Sequence, residues 1–342
     1  MPQAAQVAVW LLGARRALGG HKLRRRLELA GLSWEDLVPT LARVRTISDW
    51  ARAFERDAAK SEARGDWERA AKQAFLGQLL LAPAQPLKAE LLQTLRRCHV
   101  RDRRDRLGLR TTPVTLHGLA GLWETPGTPT RPPVLLMPPL ASVKEELTAL
   151  ADPLLRAGHS VLRLELPGQG ESPAPLRSDL DARLRACLDE MGWTAQTGVF
   201  AGGISLGAFF ALRLAGIDNQ RVRAAFGVSP PAFTTPDDWA RQPEVIWQYL
   251  DIYFGGATRQ ETYENALRLH MDDLRDNFTG PVLLYHGIRD RINPPDVPRR
   301  WRHALPYARL TEVLLPDGHA CLGHLRSRIG PESARWLAAI PI

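Results

Sequence analysis

Six short apolar runs limit the folds open to this chain more than any other feature. They are Val134–Met137, Val161–Leu166, Gly198–Ala201, Ala224–Val228, Val282–His286 and Leu310–Leu315. Helical stretches of roughly 10–20 residues separate most of them. Short, mostly apolar runs of this kind read as buried strands covered on both faces. Strands alternating with helices predict a mainly parallel sheet with helices on both sides. Ahead of them, Thr112 to Thr125 alternates apolar and polar residues around Gly118 and Gly121, like a strand pair, and 126–133 is a Pro/Thr/Gly loop. The expectation for residues 111–342 is therefore an α/β domain built on a mainly parallel eight-stranded sheet flanked by helices. One connection is too long for a simple crossover. The insert at about 230–278 carries Phe233, Trp239, Trp247, Tyr249, Tyr253, Phe254 and Tyr263. It reads either as a lid or pocket wall, or as a surface excursion with its own small core.

Residues 1–110 read as an all-helical domain. Ser33-Trp34-Glu35-Asp36 is close to a capping box and precedes Leu37, Leu41 and Val44 at helical spacing. Ser48 is placed to cap a helix with Trp50, Phe54 and Ala58, and Gly65-Asp66 to break and cap before Trp67, Ala70, Ala71, Ala74 and Phe75. Pro83 and Pro86 close that segment. These stripes read as core packing of a small bundle. The chain's net charge is +8, but residues 1–110 hold 22 Lys+Arg against 12 Asp+Glu, and residues 111–342 hold 23 against 25. The basic excess thus belongs to the first third alone. Its strongest runs are Arg24-Arg25-Arg26 and the stretch Arg101 to Arg106, where Asp102 and Asp105 alternate with arginines in the manner of a solvated, ion-paired face. A nucleic-acid- or partner-binding role through these helices is the reading of another class, but no nucleic-acid motif accompanies the charge.

Cys98, Cys187 and Cys321 are too widely spaced for a disulfide framework or a metal site, which favours a reducing, cytoplasmic setting. The apolar run Val7 to Leu12 has no basic residue before it, so no signal peptide is expected. No stretch approaches ~18 uninterrupted apolar residues, so no membrane span is expected. His319-x4-His324 lacks a carboxylate at ligand spacing, and neither a His-Glu-x-x-His run nor a Gly-rich phosphate loop occurs. No metal and no cofactor are expected.

The segment that carries chemistry is Val199-Phe200-Ala201-Gly202-Gly203-Ile204-Ser205-Leu206-Gly207-Ala208. An apolar strand enters Gly-x-Ser-x-Gly, and a helix leaves it. This order projects a serine from a sharp, strained turn whose neighbours must be small. The new helix aims its N-terminus at the reacting centre. A serine hydroxyl needs a base to take its proton. His319 follows the last strand run in a Gly-containing loop, while His286 ends a strand and is better suited to supporting the loop after it. The base in turn needs a carboxylate to fix its tautomer. Asp290 follows the strand ending at His286, with Asn293 and Pro294 turning the chain. Asp317 competes, but two residues from His319 it reads as a turn residue. For an oxyanion, one donor is the Leu206 N–H, directly after the serine. The other comes from the loop Met137-Pro138-Pro139-Leu140-Ala141. Prolines have no N–H, so Leu140 is the first residue there able to donate. Ser142-x-x-Glu145 is placed to box the next helix.

The order Ser205, Asp290, His319 resembles the α/β-hydrolase superfamily, and three segments resemble one branch of it. Ser142-Val143-Lys144-Glu145-Glu146 is similar to its Ser-Thr-Lys-Glu-Glu run, Leu166-Pro167-Gly168-Gln169-Gly170-Glu171-Ser172 to its Gly-Pro-Gly-Gln-Gly-Glu segment, and Asp317-Gly318-His319-Ala320-Cys321 to its Gly-Asp-His-Val-Cys segment. This branch includes dihydropseudooxynicotine hydrolase, the fermentation/respiration-switch-like hydrolases and fungal polyketide-shortening hydrolases. The resemblance implies the α/β-hydrolase fold behind an N-terminal helical domain, and a homodimer. It also implies hydrolysis of an ester or of a C–C bond beside a ketone. The sequence departs from the branch at Pro138-Pro139-Leu140-Ala141, where Gly-Gly-Leu-Asp is usual, and at Leu166, where Gly is usual.

The reading favoured by these residues is a serine carboxylesterase with Ser205 as nucleophile, His319 as base and Asp290 as its orienter. Its partner is a small-molecule acyl substrate, neither nucleic acid nor membrane. Trp239, Trp247, Tyr249 and Tyr253 are the candidate pocket walls, which points to a medium-sized apolar or aromatic ester. C–C hydrolysis of a β-diketone-like substrate needs a further acid, for which Glu244, Asp251 and Glu264 are candidates.

Overall fold

The computed structural model of the chain describes residues 31–341 except 234, 257, 272 and 275–277. The Val7–Leu12 run and the Arg24-Arg25-Arg26 cluster lie outside the described residues. Two compact units divide at Gly108/Leu109.

The first unit contains α1 (Trp34–Leu41), α2 (Ile47–Ala63), α3 (Trp67–Gln78) and α4 (Pro86–Leu107). Ser33 and Asp36 form the expected capping box. The cap expected at Ser48 lies two residues earlier. Thr46 Oγ1 accepts the Asp49 N–H at 3.1 Å, and Asp49 accepts the Thr46 N–H at 2.9 Å. A capping box needs an acceptor three residues on: Thr46 has Asp49 there, whereas Ser48 has Ala51. Thr46→Ala is therefore expected to cost about 1 kcal/mol in urea denaturation, and Ser48→Ala less than about 0.5 kcal/mol. Asp66 caps α3 by accepting the Arg69 N–H. The core of the bundle is Leu32, Leu37, Trp50, Phe54 and Leu76, and the Trp50 indole N–H donates to the Leu76 carbonyl at 2.8 Å. Pro86 does more than end the preceding segment: it opens α4 as its first residue, where the missing N–H costs nothing. In the last turns of α4 the alternating charges pair: Arg101 and Arg104 with Asp105, and Arg106 with Asp102.

In the second unit, eight strands among the described residues form one sheet: β1 (Arg110–Leu116), β2 (Leu119–Thr125), β3 (Arg131–Met137), β4 (His159–Leu164), β5 (Val199–Ile204), β6 (Val222–Val228), β7 (Pro281–Gly287) and β8 (Arg309–Leu315). Their order is β1-β2-β4-β3-β5-β6-β7-β8. The hairpin β1–β2 and the β2–β4 pair are antiparallel, and the other neighbours are parallel. Both faces are covered. Along β3, Val134 and Leu136 belong to one core cluster and Leu135 and Met137 to the other, the two-residue alternation that strand geometry imposes. One cluster takes in α5 (Thr148–Arg156) and α12 (Gly330–Ala338). The other takes in α6 (Leu180–Glu190), α7 (Leu206–Ile217) and α11 (Val297–Ala304).

The insert after β6 contains α8 (Pro236–Ala240), α9 (Glu244–Phe254) and α10 (Arg259–Leu267). Its aromatic residues continue the main core and do not form a separate one. Phe233 stacks on Trp239 at 3.7 Å and meets Phe209 of α7 at 5.4 Å, and Phe209 meets Trp301 of α11 at 5.8 Å. At the end of α9, the Leu176 N–H donates to the Tyr253 carbonyl at 2.7 Å, which ties the insert to the segment after β4.

Candidate active site

Ser205 sits between β5 and α7 with φ 51° and ψ −119°, a conformation that L-residues rarely hold. Its own N–H donates to the Val228 carbonyl at 2.8 Å. The turn is possible only because Gly203 and Gly207 flank it. A Cβ on Gly203 would lie 2.6 Å from the Gly207 carbonyl carbon and from the Met137 oxygen, and one on Gly207 would come within 3.0 Å of the Met137 and Pro138 oxygens. The loop after β3 is thus pressed directly against the serine turn.

Three side chains from three strand ends meet here. The His319 Nδ1 lies 2.9 Å from Asp290 Oδ2, and its Nε2 lies 3.0 Å from Ser205 Oγ. An ionised Asp290 accepts only, so Nδ1 carries the proton and Nε2 is free to accept from the serine hydroxyl. The Asp290 side chain is fully buried, and its Oδ1 accepts the N–H groups of Ile292 at 2.9 Å and Asn293 at 3.0 Å. Burial raises its carboxyl pKa, but the His319 hydrogen bond and charge and these two N–H groups outweigh it and hold the pKa below the ordinary value. A depressed folded pKa adds stability above the unfolded carboxyl's range and loses it as pH falls through the folded value. The stability advantage of the wild type over Asp290→Asn should therefore be present at neutral pH, begin to shrink as pH falls to about 4, and continue to shrink towards the lower folded value. Urea midpoints measured from pH 3 to 7 test this, and a constant difference over that range would refute it.

Asp317 is the turn residue it was expected to be. It accepts the Gly318 N–H at 2.8 Å, the Gly323 N–H at 2.8 Å and the His324 ring at 2.9 Å, so its oxygens are committed to the loop. His286 is fully buried, and burial holds its imidazole below the usual value.

Leu206 opens α7, and its N–H is among those an α-helix leaves unused at its start. In the opposing loop Leu140 and Ala141 form a turn, Ala141 with φ 64°. Among the described residues neither of their N–H groups has an acceptor. The box expected between Ser142 and Glu145 does not form. The Ser142 hydroxyl instead bonds Glu146, and its N–H donates to Gln169 at 3.2 Å. The reason is that Lys144–Leu147 is a single 3₁₀ turn capped by Val143, which shifts the register by one residue.

Of the candidate pocket residues, Trp239, Trp247 and Tyr253 are buried, the two tryptophans in the core and Tyr253 against Gly168; Tyr249 is half-buried beside Tyr253. Glu244 and Asp251 both pair with Arg259, at 3.0 and 2.8 Å, and Glu264 accepts from Gln260 at 3.0 Å.

Sequence reasoning missed Ser229. Fully buried at the end of β6 with φ 48°, it accepts the Ala320 N–H at its Oγ (3.1 Å) and the Asn293 amide at its carbonyl (2.8 Å). It thereby joins the loop bearing His319 to the loop bearing Asp290. The one signal was its place directly after a strand, at the carboxyl edge where such sheets carry their sites.

The sheet order, the serine turn and the meeting of its three loops are those of the α/β-hydrolase fold. A family model described as alpha/beta hydrolase fold matches residues 116–260. The 2,6-dihydropseudooxynicotine hydrolase of Paenarthrobacter nicotinovorans is 26% identical over 228 residues, 63% of this chain and 58% of that protein. Esterase FrsA of Escherichia coli O157:H7 is 29% identical over 119 residues, 34% of this chain and 29% of FrsA. The aligned part thus spans less than two thirds of either curated relative. Among solved structures, AbyA5 matches with a TM-score of 0.73 at 23% identity, over 98% of this chain and 92% of its own. The 2,6-dihydroxy-pseudo-oxynicotine hydrolase matches with a TM-score of 0.73 at 20% identity, over 92% and 94%. The resemblance to the branch with an N-terminal helical region therefore holds in sequence and in fold. Among the described residues no group of three or more His, Cys, Asp or Glu is placed to hold a metal, and no helix is long and apolar enough to cross a membrane.

Proposed function

We propose that the protein is a serine hydrolase that works through an acyl-enzyme, and that it acts as a carboxylesterase on a medium-sized apolar or aromatic ester. The observation that carries this reading is the hydrogen-bonded chain Ser205–His319–Asp290 on a strained strand-to-helix turn. In this scheme Ser205 Oγ attacks the ester carbonyl as its proton passes to His319 Nε2. Asp290 stabilises the imidazolium and keeps it aligned. Negative charge grows on the carbonyl oxygen, where the N–H groups of Leu206 and of the Leu140 turn are free to receive it. One such donor is typically worth about 10²–10³ in rate. The alcohol leaves with the proton from His319, and water repeats the sequence to release the acid. The names of the relatives, an esterase and a hydrolase, agree with this chemistry.

C–C hydrolysis is the second reading, because the relative aligned over 228 residues bears the name of a pseudooxynicotine hydrolase. That reaction needs an extra proton donor. Arg259 holds Glu244 ionised, below its ordinary pKa, and occupies Asp251 as well. A carboxylate kept ionised by an arginine is a poor acid, and Glu264 is engaged as an acceptor by Gln260, so ester cleavage is preferred. Hydrolysis of p-nitrophenyl esters across acyl chain lengths, with fluorophosphonate labelling of Ser205, tests the proposal. Turnover that peaks at medium acyl length supports it. Absence of both turnover and labelling refutes it.

A further inference from the structure

Beside the loop after β3 lies a buried ion cluster that the scheme above does not use. The Lys144 side chain is 2% exposed, and its ammonium meets Glu165 at 3.0 Å, Glu171 at 2.8 Å and Glu145 at 3.2 Å. Two segments supply these groups: residues 144–145, just past the Leu140–Ala141 turn, and the loop 165–171 after β4. Further bonds run between and within them. Glu165 accepts the Lys144 N–H at 3.5 Å and the Glu171 N–H at 2.7 Å, and Gln169 accepts the Ser142 N–H at 3.2 Å. Gly170 makes this closure possible, since a Cβ there would come within 3.0 Å of the Glu165 carboxylate.

Stability alone is a poor reason for such a cluster. One ammonium does not neutralise three carboxylates, and taking ions out of water commonly costs more than their pairing returns. Gln169 adds a further cost: its Nε2 is buried with no hydrogen-bond partner among the described residues. What these groups do hold is backbone. The turn is fixed on one side by Pro138 and Pro139, whose oxygen and neighbouring Met137 oxygen press on Gly207. On the other side Gln169 holds Ser142, and Glu165 holds Lys144. Between the two anchors stand the unused N–H groups of Leu140 and Ala141, next to the serine turn. Successive N–H groups in a turn containing a left-handed residue form an anion-receptive concavity.

We propose that Gln169, with the Lys144–Glu165 pair behind it, is a positioning residue for the oxyanion: it fixes the Leu140–Ala141 turn so that its free N–H groups, with that of Leu206, receive the developing charge. This inference rests on the serine-hydrolase reading. The test uses the full chain and p-nitrophenyl butyrate, with kcat and KM measured separately and active sites counted by fluorophosphonate titration. Gln169→Met keeps the length and removes the acceptor. It is expected to lower kcat by about 10–100-fold with KM within about 2-fold of wild type, since the donors act on the transition state. Gln169→Glu keeps an acceptor for Ser142; buried beside three carboxylates its carboxyl stays protonated and adds no charge, and it is expected to return kcat to within about 3-fold of wild type. Glu165→Gln, which weakens the anchor on Lys144, is expected to lower kcat in the same way. Titrated sites correct for any unfolded fraction, and Glu165→Gln remains informative should Gln169→Met fail to fold. Unchanged kcat per titrated site in Gln169→Met or in Glu165→Gln, or equal losses in Gln169→Met and Gln169→Glu, would overturn the inference while leaving the hydrolase reading standing. A wild-type protein with neither turnover nor labelling would overturn both.

Discussion

Ser205→Ala is expected to lower ester turnover by about 10⁴–10⁶-fold while the protein stays folded. The hydroxyl is the one atom of the site that nothing else replaces. His319 keeps its bond to Asp290, so the rest of the chain of hydrogen bonds survives the change. Alanine at φ 51° is as strained as serine, so little stability is gained or lost through the backbone. The His319 side chain is 22% exposed, which lets water satisfy the Nε2 that loses its partner. Initial rates on p-nitrophenyl esters and thermal melts of both proteins check this. A variant retaining more than about one hundredth of the wild-type rate would exclude Ser205 as the nucleophile.

Gly207→Ala is expected to cost at least about 4 kcal/mol, or to prevent folding. The added carbon would fall within 3.0 Å of the Met137 and Pro138 carbonyl oxygens. Neither can step aside. Met137 is in register with Gly203 of the neighbouring strand, and Pro138 is stiffened by its own ring and by Pro139. The contrast is Gly127→Ala, where the new carbon meets nothing within 4 Å and the change should lie within about 0.5 kcal/mol of zero. Urea denaturation of the three proteins decides the matter. A Gly207→Ala midpoint equal to that of Gly127→Ala would mean that the loop after β3 does not press on the serine turn.

Much of the fold was legible because its signals are local. Each of the six apolar runs falls on a strand, and β3 to β7 are buried along most of their length as expected, but β8 lies at the sheet edge and is largely exposed, which is why its run carries Thr311 and Glu312. The alternation from Thr112 to Thr125 became the antiparallel hairpin β1–β2. The serine turn was legible for the same reason: strand, two glycines, serine and helix all lie within ten residues. Errors arose where two local rules competed. Thr46 and Ser48 are both good caps, and only the position of Asp49 separates them. Ser142 bonds Glu146 and not Glu145 because the turn that follows starts one residue later than expected, with Val143 and not Ser142 at its N-cap position.

By itself the sequence determined the strands and helices, the strained serine between two small neighbours, and the candidates Asp290 and His319 in their chain order. Only the tertiary structure decided which carboxylate reaches the imidazole, committing Asp317 to its own loop and Asp290 to His319. Only it brought Ser229 between the two loops and packed the insert's tryptophans into the core. It alone also placed Ala141, Ser229, Ala320 and Cys321 at positive φ, where composition would suggest glycine. The physical reason is reach. Propensity, capping and periodicity act within about four residues along the chain, whereas the hydrogen bonds that hold these strained residues join segments that only the closed sheet brings together.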